Sequence, residues 1–226
     1  MLRAWDKLPQ NMQVEEVKPY YEVLAKKRMS LVMKRCFDIL MSTIMLILLS
    51  PLMLGLSIAI ALDSKGGVFF RQERVTQYGR KFRIHKFRTM VANAENIGSK
   101  VTVANDMRVT KIGGKIRKSR LDELPQLIDI LVGDMSFVGT RPEVTKYVKQ
   151  YTPEMMATLL MPAGVTSLAS IKYKDEDELL QETEDVEQTY IDVILPKKMK
   201  YNLWSIAHFG ILKDIVTLID TVAAVL

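Results

Sequence analysis

One run of apolar residues constrains this chain more than any other feature. It extends from Phe37 to Leu62 and reads FDILMSTIMLILLSPLMLGLSIAIAL. It holds one charge, Asp38 at its edge, and one helix breaker near its midpoint, Pro51. A helix at membrane depth needs about 20 apolar residues, and this run supplies them. Core helices of soluble domains are seldom so long or so apolar on every face. The run therefore predicts membrane insertion. Pro51 follows Ser50 and has no N–H for the carbonyl of Ile47. Its ring also crowds that turn, so a kink or break is expected. The Ser50 hydroxyl is placed to bond a carbonyl one turn back. Each half is then about a dozen residues, or ~18 Å, which reaches the middle of a ~30 Å hydrocarbon core without crossing it.

Charge separates the two ways such a run can sit. Lys26, Lys27, Arg28, Lys34 and Arg35 precede it; Lys65, Arg71, Arg74, Arg80, Lys81 and Arg83 follow it. Positive flanks favour the cytoplasmic side. A single span puts one cluster on the wrong side, whereas a re-entrant helix–break–helix satisfies both. A kinked single span is the alternative, since proline is tolerated in true spans.

The 226 residues suffice for one membrane element and one soluble domain. Three parts are expected: a polar lead-in over 1–36, the membrane helix over 37–62 and a cytosolic domain over 63–226. The net charge of +6 calls for an acidic partner. With a membrane run present, anionic lipid and phosphorylated substrates come before nucleic acid. Few aromatics interleave with the cations and no recognition motif for nucleic acid is present. The single Cys36 has no internal disulfide partner, consistent with a reducing compartment. The apolar run starts too late and is too long for a secretory leader.

The fold class expected is α+β, mostly helical. In the lead-in, Val17, Tyr20, Tyr21 and Leu24 suggest a short amphipathic helix, either a solvated lead-in or an interfacial anchor. After a turn at Asp63–Gly67, Val68–Phe70 reads as a strand. Gln77–Arg80 reads as a turn, and Lys81–Phe87 alternates as a half-buried strand does. A small β-hairpin at the membrane surface follows. Its cations Lys81, Arg83, Lys86 and Arg88 form a solvated basic face or a phosphate-facing wall. Thr89–Ala104 is expected to be a helix and a loop. Leu127–Val132 is an apolar segment, and Gly133–Glu143 and Pro162–Ser170 read as loops. Asp175–Glu187 reads as a solvated acidic face. From Tyr201 onward the pattern gives an amphipathic helix in the interface or on the core, with Trp204 suited to head-group level. His85 and His208 are isolated in the sequence and take no chemistry.

The densest chemistry lies between Asn105 and Gln126. Six cations from Arg108 to Arg120 precede the adjacent acids Asp122 and Glu123. Neighbouring helical residues point about 100° apart, so these acids cannot share one task as glycosidase carboxylates do. They can divide two tasks, one attacking or deprotonating while the other holds a divalent cation. By spacing alone they are equally ordinary acids favoured at a helix start.

These pieces together resemble the bacterial monotopic phosphoglycosyl transferases, the initiating sugar transferases. The resemblance rests on KRCFDI at 34–39, the Ser50-Pro51 break, FFRQERV at 69–75, KFRTM at 86–90, LDELPQL at 121–127, GDMSFVG at 133–139 and Arg141-Pro142. It covers about Lys34 to Ala169 and is looser beyond. It implies transfer of sugar-1-phosphate from a UDP-sugar to undecaprenyl phosphate, releasing UMP and starting a surface glycan. It implies Asp122 as the nucleophile of a covalent phosphosugar intermediate, and Glu123 as a ligand of Mg²⁺. Lys86, Arg88, Arg117 and Arg141 are then candidates for phosphate contacts, with Pro142 bordering the uridine. It also implies a re-entrant anchor at the cytoplasmic face of the bacterial inner membrane, and it allows a homodimer. Larger members carry an extra multi-span region, so a compact form is expected. Gly66-Gly67 stands where the family often has Gly-Pro, Thr140 where it often has Pro, and Ser167-Leu168-Ala169 where it often has Gly-Leu followed by Trp or Ala. The rival reading is a non-enzymatic peripheral protein that binds anionic lipid. It accounts for the charge but not for an Asp-Glu pair set among cations.

Overall fold

A computed structural model describes residues 2–91, 94, 107–176 and 185–225. Two single 3₁₀ turns, Trp5–Lys7 and Gln10–Met12, lead into helix α1 (Lys18–Lys26) and then α2 (Arg28–Asp63). Strands β1 (Phe69–Val75) and β2 (Lys81–Phe87) follow, then α3 (Lys111–Lys118), a 3₁₀ turn at Leu121–Glu123 and α4 (Gln126–Val132). Next come β3 (Met135–Val138), α5 (Thr145–Val148), a 3₁₀ stretch Glu154–Leu160, β4 (Ala163–Thr166) and α6 (Leu168–Lys172). Helical residues Val186–Thr189, a π-helical turn Tyr190–Ile194 and a helix Leu195–Ala207 run on continuously, and the C-terminal helix is Ile211–Val225. The chain is mostly helical with a small antiparallel hairpin.

Helix α2 runs without interruption through Pro51, where the sequence predicts a kink or break. Proline leaves the Ile47 carbonyl without its helical donor, and the Ser50 hydroxyl donates to that carbonyl at 2.8 Å. Ser42, Thr43 and Ser57 make similar bonds one turn back. At 36 residues the helix is about 54 Å long, well beyond a ~30 Å hydrocarbon core. It is the one helix among the described residues long and apolar enough to cross a membrane.

The helix has two faces. Leu40, Ile47, Leu48, Leu54, Ile58 and Leu62 are exposed. Along the other face, Leu31, Lys34, Asp38, Ser42, Met45, Leu49, Met53, Leu56 and Ile60 recur at spacings of three or four, and all are buried or packed against buried clusters. Met45, Leu46 and Leu49 cover a core of Phe82, Ile84, Leu127, Ile130, Met135 and Ala163. Met53, Leu56 and Ile60 cover a second, with Phe87 and Ile116. Both halves of the apolar helix thus pack on the same folded domain.

Polar groups fix its ends. Arg35 donates to the carbonyls of Ile130 and Leu131 at 2.6 and 2.7 Å at the end of α4, where Ile130 O also accepts from Gly133 N–H. Gly133, at φ 93°, ends α4 in the left-handed region. At the other end, an Asp63 carboxylate oxygen accepts from the backbone N–H of Ile112 at 3.0 Å in the first turn of α3. Thr110 caps the same helix through Gly113 N–H.

The N-terminal segment is neither a solvated lead-in nor a free interfacial helix. Met12, Val17 and Leu24 are fully buried in a cluster with Leu160, Leu203, Ile206 and Phe209. Each buried side chain of this kind contributes ~2 kcal/mol, so the segment is part of the core. Two segments that read as loops supply a parallel strand pair instead, with Met135 opposite Ala163 and Val138 opposite Thr166. The carbonyl of Thr140 accepts from Gly164 N–H and the N–H of Gly139 donates to Thr166 O, so two glycine backbones meet where a Cβ would collide. Most of the helix and loop expected over Thr89–Ala104 and most of the acidic run at 175–187 lie outside the described residues.

Candidate active site

Three segments converge on the acidic pair. Strand β2 brings Lys86; by strand alternation it shares a face with the buried Phe82 and Ile84. The 3₁₀ turn Leu121–Glu123 brings both acids, entered through Arg120 at φ 55°, a left-handed conformation unusual for a side chain of this size. The loop after β3 brings Arg141. Glu123 Oε1 accepts from Lys86 Nζ at 2.9 Å and from Arg141 Nη2 at 2.5 Å. Its side chain is only 13% exposed.

The two carboxylates are in different electrostatic states. Burial raises the Glu123 pKa, but the Arg141 and Lys86 charges and hydrogen bonds outweigh it and hold the carboxyl well below the usual range. The Asp122 pKa is raised, first by burial and then by the neighbouring Glu123 charge, against the pull of Lys86 and Arg117. Glu123 holds Arg141 above its ordinary value against burial. Asp122 makes no ion pair among the described residues. The site therefore combines one neutralised carboxylate with one open, more basic carboxylate beside it.

The other expected site residues are distributed differently. Arg117, near the end of α3, lies close enough to lower the Asp122 pKa. Pro142 is buried, and its carbonyl accepts from Arg74 Nη1 at 3.0 Å. Arg88 does not join the cluster, contrary to its expected phosphate role. Its Nη2 donates to Ser64 O at 2.6 Å and Ser64 Oγ at 3.0 Å, and its Nη1 to Lys65 O at 3.2 Å. It caps the end of α2, where free carbonyls favour a cation.

Sequence reasoning missed two groups. His85 is not isolated: Asp129, which is fully buried, accepts from its backbone N–H at 2.8 Å and lies 2.6 Å from its Nδ1. The bond ties the strand of Lys86 to the helix that follows the acids. Behind Arg141 lie Glu143, Tyr190, Lys198 and Glu176, where Tyr190 Oη donates to Glu143 Oε1 at 2.6 Å and Lys198 Nζ to Glu176 Oε2 at 2.7 Å. Only the buried side of the C-terminal helices could have signalled these, and 47 residues separate Tyr190 from Glu143.

A divalent cation such as Mg²⁺ keeps several waters and uses one or two carboxylates plus substrate phosphates. Asp122 and Glu123 Oε2, neither in an ion pair, suit that arrangement. No group of three or more His, Cys, Asp or Glu among the described residues could hold a metal by itself.

Fold and site together define a domain built on one long apolar helix, whose partly buried cations and unpaired carboxylate suit an anionic substrate. The chain belongs to the bacterial sugar transferase family, whose profile matches residues 29–226. It is 36% identical over 196 residues to a UDP-N-acetylgalactosamine-undecaprenyl-phosphate N-acetylgalactosaminephosphotransferase of Aeromonas hydrophila, covering 85% of this chain and 43% of that protein. It is 34% identical over 197 residues to a UDP-glucose:undecaprenyl-phosphate glucose-1-phosphate transferase of Klebsiella pneumoniae, covering 85% and 40%. It is 31% identical over 215 residues to an undecaprenyl-phosphate galactose phosphotransferase of Salmonella typhimurium, covering 88% and 42%. The chain thus spans less than half the length of these relatives.

Proposed function

We propose that this protein transfers sugar-1-phosphate from a UDP-sugar to undecaprenyl phosphate, releasing UMP, as the first step of a surface glycan. The observation that carries this reading is the contrast between the paired Glu123 and the open Asp122 within the family-matched region. An Asp122 carboxylate oxygen forms a bond to the β-phosphorus, and the bond from that phosphorus to the bridging oxygen breaks. UMP leaves with the electron pair. A lipid phosphate oxygen then attacks the same phosphorus and Asp122 departs as carboxylate. Lys86 and Arg141 hold Glu123 and offer their remaining donors to phosphate oxygens, where the Arg141 fork is well matched. The charge of Arg117 favours the ionised form of Asp122. Glu123 would be the protein ligand of a Mg²⁺ ion, which would supply positive charge to the diphosphate and to the leaving UMP.

The anchor is read as re-entrant, entering and leaving by the cytoplasmic face, which requires α2, continuous through Pro51, to bend at Ser50-Pro51 in the membrane. Two observations support this: cationic flanks on both sides, and contacts from both halves of α2 to one domain. Such an anchor holds the site at the depth of the lipid phosphate while leaving it open to a water-soluble nucleotide.

The test is UMP release from a panel of UDP-sugars with undecaprenyl phosphate and Mg²⁺, comparing wild type with Asp122→Asn. Release should require the lipid, the metal and Asp122, and the panel identifies the sugar. Near-normal release by a folded Asp122→Asn protein would refute the assignment. Lipid docking that survives EDTA with no turnover from any donor would favour the peripheral lipid-binding reading.

A further inference from the structure

The loop that carries Arg141 is held at several points. The Pro142 carbonyl accepts from Arg74, and the Glu143 carbonyl accepts from Val75 N–H at 2.9 Å. The Glu143 side chain remains, a carboxylate 7% exposed and two residues from Arg141. Among the described residues it receives one hydrogen bond, from the Tyr190 hydroxyl at 2.6 Å. Tyr190 opens a π-helical turn, a rare form frequent at functional sites. Its ring lies 4.7 Å from that of Tyr147, and Lys198 Nζ sits 5.3 Å over it and 3.4 Å from its hydroxyl. The phenol is thus fixed on both sides, with its oxygen aimed at Glu143.

Two buried carboxylates, Glu123 and Glu143, lie within the field of the Arg141 guanidinium, but only Glu123 touches it. A buried carboxylate deprived of its donor turns to the nearest cation with spare donors. Two other cations are already engaged: Arg74 through Nε and Nη2 to Gln72 Oε1 and Nη1 to Pro142 O, and Lys198 through Nζ to the carboxylate of Glu176 at 2.7 Å. Arg141 is less so, since its Nη1 reaches only Val165 O, at 3.5 Å.

We propose that Tyr190 is a positioning residue for Arg141: its hydroxyl occupies Glu143 and so keeps that second carboxylate from drawing Arg141 away from Glu123. The proposal rests on the phosphoglycosyl-transfer reading of the site. Tyr190→Phe removes one oxygen and keeps the ring. It should lower kcat by about 10- to 100-fold, as for a misplaced catalytic group, with a smaller change in KM for the UDP-sugar. Glu143→Gln placed in the same chain should restore the rate to within about threefold of the Glu143→Gln single variant, because the competing charge is gone. The Nε–Hε resonance of Arg141, assigned through Arg141→Lys, should move in Tyr190→Phe and return in the double variant. Losses that simply add, or an Arg141 resonance unmoved by Tyr190→Phe, would overturn the proposal. If wild type released no UMP, the reading of the site would fall, and the resonance would still decide the role of Tyr190.

Discussion

Lys86 and Arg141, 55 residues apart in sequence, close on a single atom, Oε1 of Glu123, at 2.9 and 2.5 Å. The strand that carries Lys86 and the loop that carries Arg141 are thereby joined through an acid on a third segment. One carboxylate serves as the keystone of the site, and its neighbour Asp122 remains open.

Glu123→Gln should therefore damage more than turnover. It removes the one charge that pairs two partly buried cations, Lys86 at 19% and Arg141 at 35% side-chain exposure. Breaking a pair of this kind costs about 3 kcal/mol, since the remaining charges stay desolvated. Chemical denaturation in detergent should show that loss, while Asp122→Asn, which breaks no ion pair, should stay near wild type in stability.

The pH dependence of turnover should follow Asp122 and not Glu123. The Asp122 pKa lies above the ordinary aspartate value because of burial and of Glu123 beside it. As pH falls, Asp122, the proposed nucleophile, takes up its proton first, and the rate drops while Glu123 is still ionised. The acid limb of single-turnover UMP release should sit above pH 3.8, and a limb below that value would contradict the assignment.

Arg88→Met should separate a cap from a phosphate ligand. Its donors hold the carbonyls of Ser64 and Lys65 just past the end of α2, so the variant should lose about 1–3 kcal/mol of stability. The KM for the UDP-sugar should hardly move. A large rise in KM with unchanged stability would return Arg88 to the phosphate site.

Gly164→Ala should disturb Arg141 from a distance. A Cβ there would collide with the backbone of Gly139, two residues before Arg141. Overpacking of this sort costs about 1–3 kcal/mol. Circular dichroism should show a retained fold, and UMP release should fall with stability.

Topology can be read by labelling. In a chain with Cys36 replaced, single cysteines at Arg3 and at Lys65 should react from the same side of sealed vesicles. Reaction from opposite sides would establish a full span.

Much of this was legible in the sequence because it is local. The apolar run, the alternating strand at Lys81–Phe87 and the cluster around Asp122 each carry their signal within a few residues. The strand pair at Met135–Val138 and Ala163–Thr166 was not, because strands of four residues are too short to show an alternating pattern and sit among turn-forming residues until their partner is known. Burial of Met12, Val17 and Leu24 was hidden for a similar reason: a sparse apolar pattern acquires meaning only from the distant surface it meets. Arg88 misled because cations near a phosphate site and cations at a helix end share one signature. The pairings of His85 with Asp129 and Glu143 with Tyr190 depend on tertiary contact alone.

The packed face of α2 has a practical consequence. An anchor of this kind is not a handle that can be cut away to yield a water-soluble enzyme. A chain begun after Asp63 would lose one wall from two hydrophobic clusters, the arginine that closes α4 and the acid that starts α3. Purification, crystallisation and inhibitor screening must therefore carry the greasy helix along, in detergent or in a lipid patch, because the folded domain has borrowed part of its interior from the apolar helix.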